Sequence, residues 1–108
     1  MERFQLLTRP DGRHAPDWAA KIHVALAPVY YQNYLLGELV ASQLQATLFD
    51  RFGGIVGRRE AGEFLRTEFF APGWSCRWDE LVARATGAPL GVDAYAAELA
   101  ELATRAAG

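Results

Sequence analysis

The segment from Val29 to Phe49 constrains this chain more than any other. Its apolar residues (Val29, Tyr30, Tyr31, Tyr34, Leu35, Leu36, Leu39, Val40, Leu44, Leu48 and Phe49) fall around most of the circumference of a helix, not along one stripe. A helix of that kind is usually central, with other elements covering it on several sides. The pattern predicts a helix from about Pro28 to Phe52. Pro28 suits its first turn, where the missing N–H would have no partner anyway. Gly53-Gly54 ends it, because glycine takes up the left-handed conformation that follows a helix. The expectation is one long, largely buried central helix, and it carries a corollary: the sequence here does not obviously supply enough other elements to cover it.

The remaining chain reads as shorter helices separated by clear breaks. Residues 1–16 form an irregular N-terminal segment, with a turn signal at Arg9-Pro10-Asp11-Gly12 and a further break at Pro16. Residues 17–108 form the helical part. Asp17 is placed to cap a short helix ending near His23. Arg58 to Phe70 reads as a helix stopped by Ala71-Pro72-Gly73. Ser75 is placed to cap another, roughly Arg77 to Thr86, with Gly87 just beyond it. A last, alanine-rich helix runs from about Val92 to Ala106, with Asp93 in its first turn, where a negative charge suits the helix dipole. No segment alternates apolar and polar residues over a strand length, so the expected class is all-α, with about four to five helices.

Charge and cysteine content exclude several functions. The 108 residues carry a formal net charge of −2, and no basic cluster is present to displace counterions from a nucleic acid. Ten of the eleven basic residues are arginine, Lys21 being the lone lysine. Cys76 is the lone cysteine, which rules out an internal disulfide or a cysteine-based metal site and reads as a structural thiol. The longest apolar stretch, Tyr34 to Phe49, is interrupted by Glu38, Gln43 and Gln45 and is not a membrane span. Met1-Glu2-Arg3-Phe4 opens no apolar signal segment, so the cytoplasm is the expected compartment. Gly53-Gly54-Ile55-Val56-Gly57 lacks the lysine of a phosphate loop and reads as a turn. No nucleophile-elbow motif accompanies the serines.

One constellation stands out on the long helix. Tyr31, Tyr34, Glu38, Ser42 and Gln45 follow at offsets of three, seven, eleven and fourteen, which places them along one stripe of a helix. Phenol and hydroxyl groups on a covered helix need partners, since one left unpaired costs about 1–3 kcal/mol. Two readings satisfy that need: an internal hydrogen-bond network, or a row of groups facing a substrate.

Lys21-Ile22-His23, followed shortly by Tyr31-Gln32-Asn33-Tyr34 at the head of a long helix, resembles the C-terminal half of the angiotensin-converting-enzyme-like peptidyl dipeptidases. The thimet oligopeptidase and oligoendopeptidase F families have a similar tyrosine-rich helix. Downstream, Ala61-Gly62-Glu63-Phe64-Leu65, Pro72-Gly73-Trp74-Ser75, Trp78-Asp79-Glu80-Leu81 and Thr86-Gly87-Ala88-Pro89 follow the order of that family's tail. The likeness covers Trp18 to Leu90. It implies a piece of a larger helical zinc-peptidase fold whose intact form hydrolyses peptide bonds with metal-activated water.

The resemblance also implies roles. Lys21 would pair with the C-terminal carboxylate of a peptide substrate, and Tyr31 would donate a hydrogen bond to the same group. His23 would donate to a substrate backbone carbonyl. Tyr34 would stabilise the oxyanion of the tetrahedral intermediate. The chain has one extra residue between His23 and the tyrosine pair, so Tyr30 is an alternative to Tyr31, and Asn33 to Tyr34. The Lys21 role belongs to exopeptidases; the endopeptidase relatives do without it.

The zinc ligands of such enzymes, His-Glu-x-x-His with a further glutamate, have no counterpart here. His14 and His23 are nine residues apart, off one helical face and without the glutamate between them. The expectation is therefore that this chain holds no zinc, that zinc sits in the intact parent, and that the partners are a peptide and the missing metal-binding half. The alternative is a non-catalytic helical module that self-associates or binds a partner protein.

Overall fold

The computed structural model describes Gly12, Ala15, residues 21–27 and residues 29–107. These residues are all-helical, with no strand among them. The chain divides into two compact units, Met1–Gln32 and Asn33–Gly108. The expected boundary between residues 16 and 17, the proposed cap at Asp17 and His14 lie outside the described residues.

In the first unit the described element is a single helical turn, α1 (Ile22–Ala25), with Lys21 at its N-cap position. The amides of Leu26 and Ala27 both return to the Ile22 carbonyl, which closes the turn. The sequence explains its shortness, because Pro28 disfavours the helical conformation at the residue before it. This turn lies slightly later than the expected end near His23.

The long helix, α2 (Gln32–Phe52, 21 residues), begins four residues later than expected. Val29 has φ 62°, a left-handed conformation that a β-branched side chain rarely adopts. The Gln32 side-chain amide donates to the Val29 carbonyl, which helps hold that break. Tyr30 and Tyr31 therefore precede the helix and Tyr34 lies in its first turn. The C-terminal end is as the glycines predict: Gly53 and Gly54 have positive φ, and the Gly53 amide caps the Phe49 carbonyl.

The second unit continues with α3 (Arg59–Phe64), which widens into a π-helical stretch over Leu65–Phe70. The Ala71 amide reaches back five residues to the Arg66 carbonyl. After a short 3-10 turn at Gly73–Ser75 come α4 (Trp78–Thr86) and α5 (Asp93–Ala106). Ser75 is not the cap of α4. It belongs to the 3-10 turn, where its amide bonds the Pro72 carbonyl, and Arg77 occupies the N-cap position without a side-chain capping bond. Asp79 in the first turn pairs with Arg77 through two hydrogen bonds of 3.0 Å, and its negative charge suits the N-terminal end of the helix.

The buried apolar residues are Leu39 and Leu48 of α2, Ala61 of α3, and Val82 and Ala85 of α4. Phe52 and Phe64 join α2 to α3, their ring centroids 5.6 Å apart, and the π-helical stretch packs against α4. Gln43 ties α2 to the α4–α5 connection. Its amide nitrogen lies 2.8 Å from the Thr86 hydroxyl and 3.0 Å from the Ala88 carbonyl, and its oxygen accepts from the Gly91 amide at 2.9 Å. Ser42 donates to Glu98 of α5 at 2.7 Å.

Among the described residues α2 is only partly covered. Leu39, Ser42 and Leu48 are buried, whereas Tyr34, Leu35 and Phe49 each expose more than half their surface. Beyond α2, Val56 and Trp74 are almost wholly exposed, and Phe70 and Trp78 more than half so. A buried side chain of that size contributes about 1.5–3 kcal/mol, so this surface is a large unrealised source of stability.

Candidate functional site

The residues expected to meet a substrate fall in two places in the chain. Lys21, His23, Tyr30 and Tyr31 belong to the first compact unit, and Tyr34 belongs to the second. Each is described within its own unit.

In the first unit, α1 sets the positions of Lys21 and His23. Lys21 has extended backbone (φ −73°, ψ 124°) and an exposed side chain, and it makes no capping bond to α1. His23 sits one residue into the turn and is half-buried. Its imidazole lies edge-on to Tyr31, with ring centroids 5.6 Å apart and planes at 68°. It also lies nearly parallel to Tyr30, at 6.0 Å and 13°. Aromatic pairs favour both the edge-on and the offset parallel geometry, each contributing about 0.5–1.5 kcal/mol beyond burial. The two tyrosines thus hold one imidazole between them, and the contact serves Tyr30 and Tyr31 alike. Both phenols remain about half exposed.

In the second unit, Tyr34 is carried by the first turn of α2 and is 54% exposed. The stripe proposed for that helix divides. Tyr31 lies ahead of the helix. Glu38 and Gln45 are exposed. Ser42 is buried and committed to Glu98, which gives it an internal structural role. The hydrogen-bond hub of the helix is Gln43, a position outside the stripe. Its signal in the sequence is a glutamine in the middle of an apolar run, a residue that needs several partners once it leaves water.

Chemically, the first unit offers an imidazole that can donate an N–H, two phenols that can donate an O–H, and an ammonium for an anion. Groups of that kind can donate to carbonyl and carboxylate oxygen. The set contains no metal centre: among the described residues, no three of His, Cys, Asp and Glu come together in a way that could hold a metal ion. No described helix is long and apolar enough to cross a membrane. Cys76 is half-buried and free.

Comparison with known proteins finds no matching family, no matching curated protein and no matching solved structure.

Proposed function

We propose that this chain is the substrate-binding, C-terminal portion of a zinc-dependent metallopeptidase of the peptidyl dipeptidase or oligopeptidase type. The observation that carries the reading is the packing of the His23 imidazole against Tyr31, two residues to which the resemblance gives substrate contacts. Oxygen-recognising groups held by ring contacts lose little freedom on binding a peptide, which is how a pre-organised site gains affinity. Lys21 would hold the substrate's C-terminal carboxylate, with Tyr31 donating to the same group. His23 would donate to a backbone carbonyl, and Tyr34 would donate its phenolic proton to the oxyanion.

The residues of this chain do not fit a zinc centre, since they offer neither His-Glu-x-x-His nor a cluster of three ligands among the described positions. The metal and the residues that activate water would therefore come from sequence outside these 108 residues. The exposed Phe70, Trp74 and Trp78 support an incomplete unit, because monomeric proteins rarely leave such surface uncovered.

The alternative is a non-catalytic helical interaction module. The commitment of Ser42 to Glu98 favours it, because it removes one member of the stripe from contact with any substrate.

The test is kinetic. In the enzyme formed with a metal-binding half, Tyr34→Phe should lower kcat by about 10²–10³ while leaving KM within a few-fold, as expected for a donor that acts on the developing oxyanion. An unchanged kcat would refute the assignment. Zinc-dependent peptide hydrolysis by the 108-residue chain alone would equally refute the division of labour.

A further inference from the structure

The C-terminal half of α2 and the length of α5 enclose a groove of about 610 Å3. Ala46, Ala94 and Ala97 line it together with Phe49 and Leu102, the last two each about half exposed. Ser42 and Glu98 join the two helices at one point. Small lining residues allow another backbone to approach closely, and the larger apolar ones gain by being covered.

Charge along α5 points to the occupant. Glu98 and Arg105 lie seven residues apart on the groove side, about 10.5 Å along the axis at 1.5 Å per residue. They are equidistant from the point between Glu101 and Leu102. An antiparallel pairing of two α5 helices about that point sets each Arg105 opposite the Glu98 of the other copy. The pairing repeats itself under the two-fold, as an isologous interface must. Arg105 already bonds Glu101 at 2.6 Å, and a guanidinium has further N–H groups to offer.

We propose that this groove is the docking face for a second copy of the chain, the α2–α5 pairs stacking as a four-helix arrangement. The area fits a weak self-association. The 14 residues of α5 run about 21 Å and the lining stretch of α2 about 12 Å, which at about 10 Å across gives roughly 330 Å2 per copy, below the area of stable complexes and in the range of weak, transient contacts. The dimer is accordingly weak, with a Kd on the order of micromolar to tens of micromolar. The inference is independent of the peptidase reading, for Tyr34 stands at the other end of α2.

Sedimentation equilibrium of the full chain tests it, from about 5 to about 500 µM, with helicity followed by circular dichroism. The unmodified chain should pass from monomer to dimer in that range. Leu102→Glu and Arg105→Glu should each raise Kd at least about tenfold with helicity unchanged. The double variant Glu98→Arg/Arg105→Glu, which exchanges the charges, should recover most of the loss. Because Glu98→Arg also gives up the bond from Ser42, the helicity and thermal melting of the double variant are followed alongside, which separates a broken interface from a broken fold. A chain that stays monomeric throughout overturns the proposal. So does a dimer indifferent to both single variants, a double variant no better than Arg105→Glu, or a dimer abolished instead by Trp74→Ser.

Discussion

Gln43 shows how one residue can fasten a small unit. Its amide nitrogen bonds Thr86 and Ala88, and its oxygen accepts from Gly91, so a single side chain orders the whole connection from α4 to α5. Replacing it with alanine leaves those polar groups to find water in a partly covered site. Gln43→Ala should destabilise the chain by about 1–3 kcal/mol, seen as a lower urea midpoint at constant slope. A change under about 0.3 kcal/mol would mean that water replaces the amide without penalty. The residues proposed to meet a substrate contrast with this. His23, Tyr30 and Tyr31 are joined by ring contacts, and the two tyrosines are each about half exposed.

At the scale of elements, α4 is the helix with the most explicit terminal electrostatics. The Asp79 carboxyl sits below the ordinary carboxylate range, chiefly because Arg77 hydrogen-bonds its charged form. A carboxylate with a lowered folded-state pKa stabilises the fold fully above its ordinary value, and that contribution disappears as pH falls through the folded value. The stability gap between the unmodified chain and Asp79→Asn should therefore be present at neutral pH and close as the pH drops below 3.8. Denaturation series at several pH values measure it, and a gap that stays constant into acid would contradict the assignment. The helix breaks were legible in the sequence where the chemistry is local. Gly53 and Gly87 both take the left-handed conformation expected after a helix, and Asp93 stands in the first turn of α5. The breaks that sequence missed are settled by competition between neighbours. Helix propensity does not reveal that Val29 takes φ 62° and delays α2, nor that Ser75 joins a 3-10 turn and leaves Arg77 at the N-cap position of α4. The Gln43 hub was visible only as a polar residue in an apolar run, because its partners lie more than forty residues away.

For the whole molecule, the all-α class follows from helix-period patterning and strong breakers, and the described residues agree with it throughout. What periodicity does not set is how much of α2 the chain covers. The proposed peptidase reading would cover the exposed part of α2 with a metal-binding half, and the proposed dimer would cover the α2–α5 groove with a second copy. Tyr34 and the groove lining lie at different ends of α2. The central claim, that Lys21, His23, Tyr31 and Tyr34 meet a peptide, is tested most directly by NMR of the chain itself. The chain is titrated with a short peptide bearing a free C-terminal carboxylate and, separately, with its C-terminally amidated twin. The account predicts saturable shifts centred on His23, Tyr31 and Tyr34 with the free acid, and weaker binding of the amide where Lys21 holds the carboxylate. Peptide-independent spectra at millimolar concentration, or shifts confined to residues away from these, would contradict it.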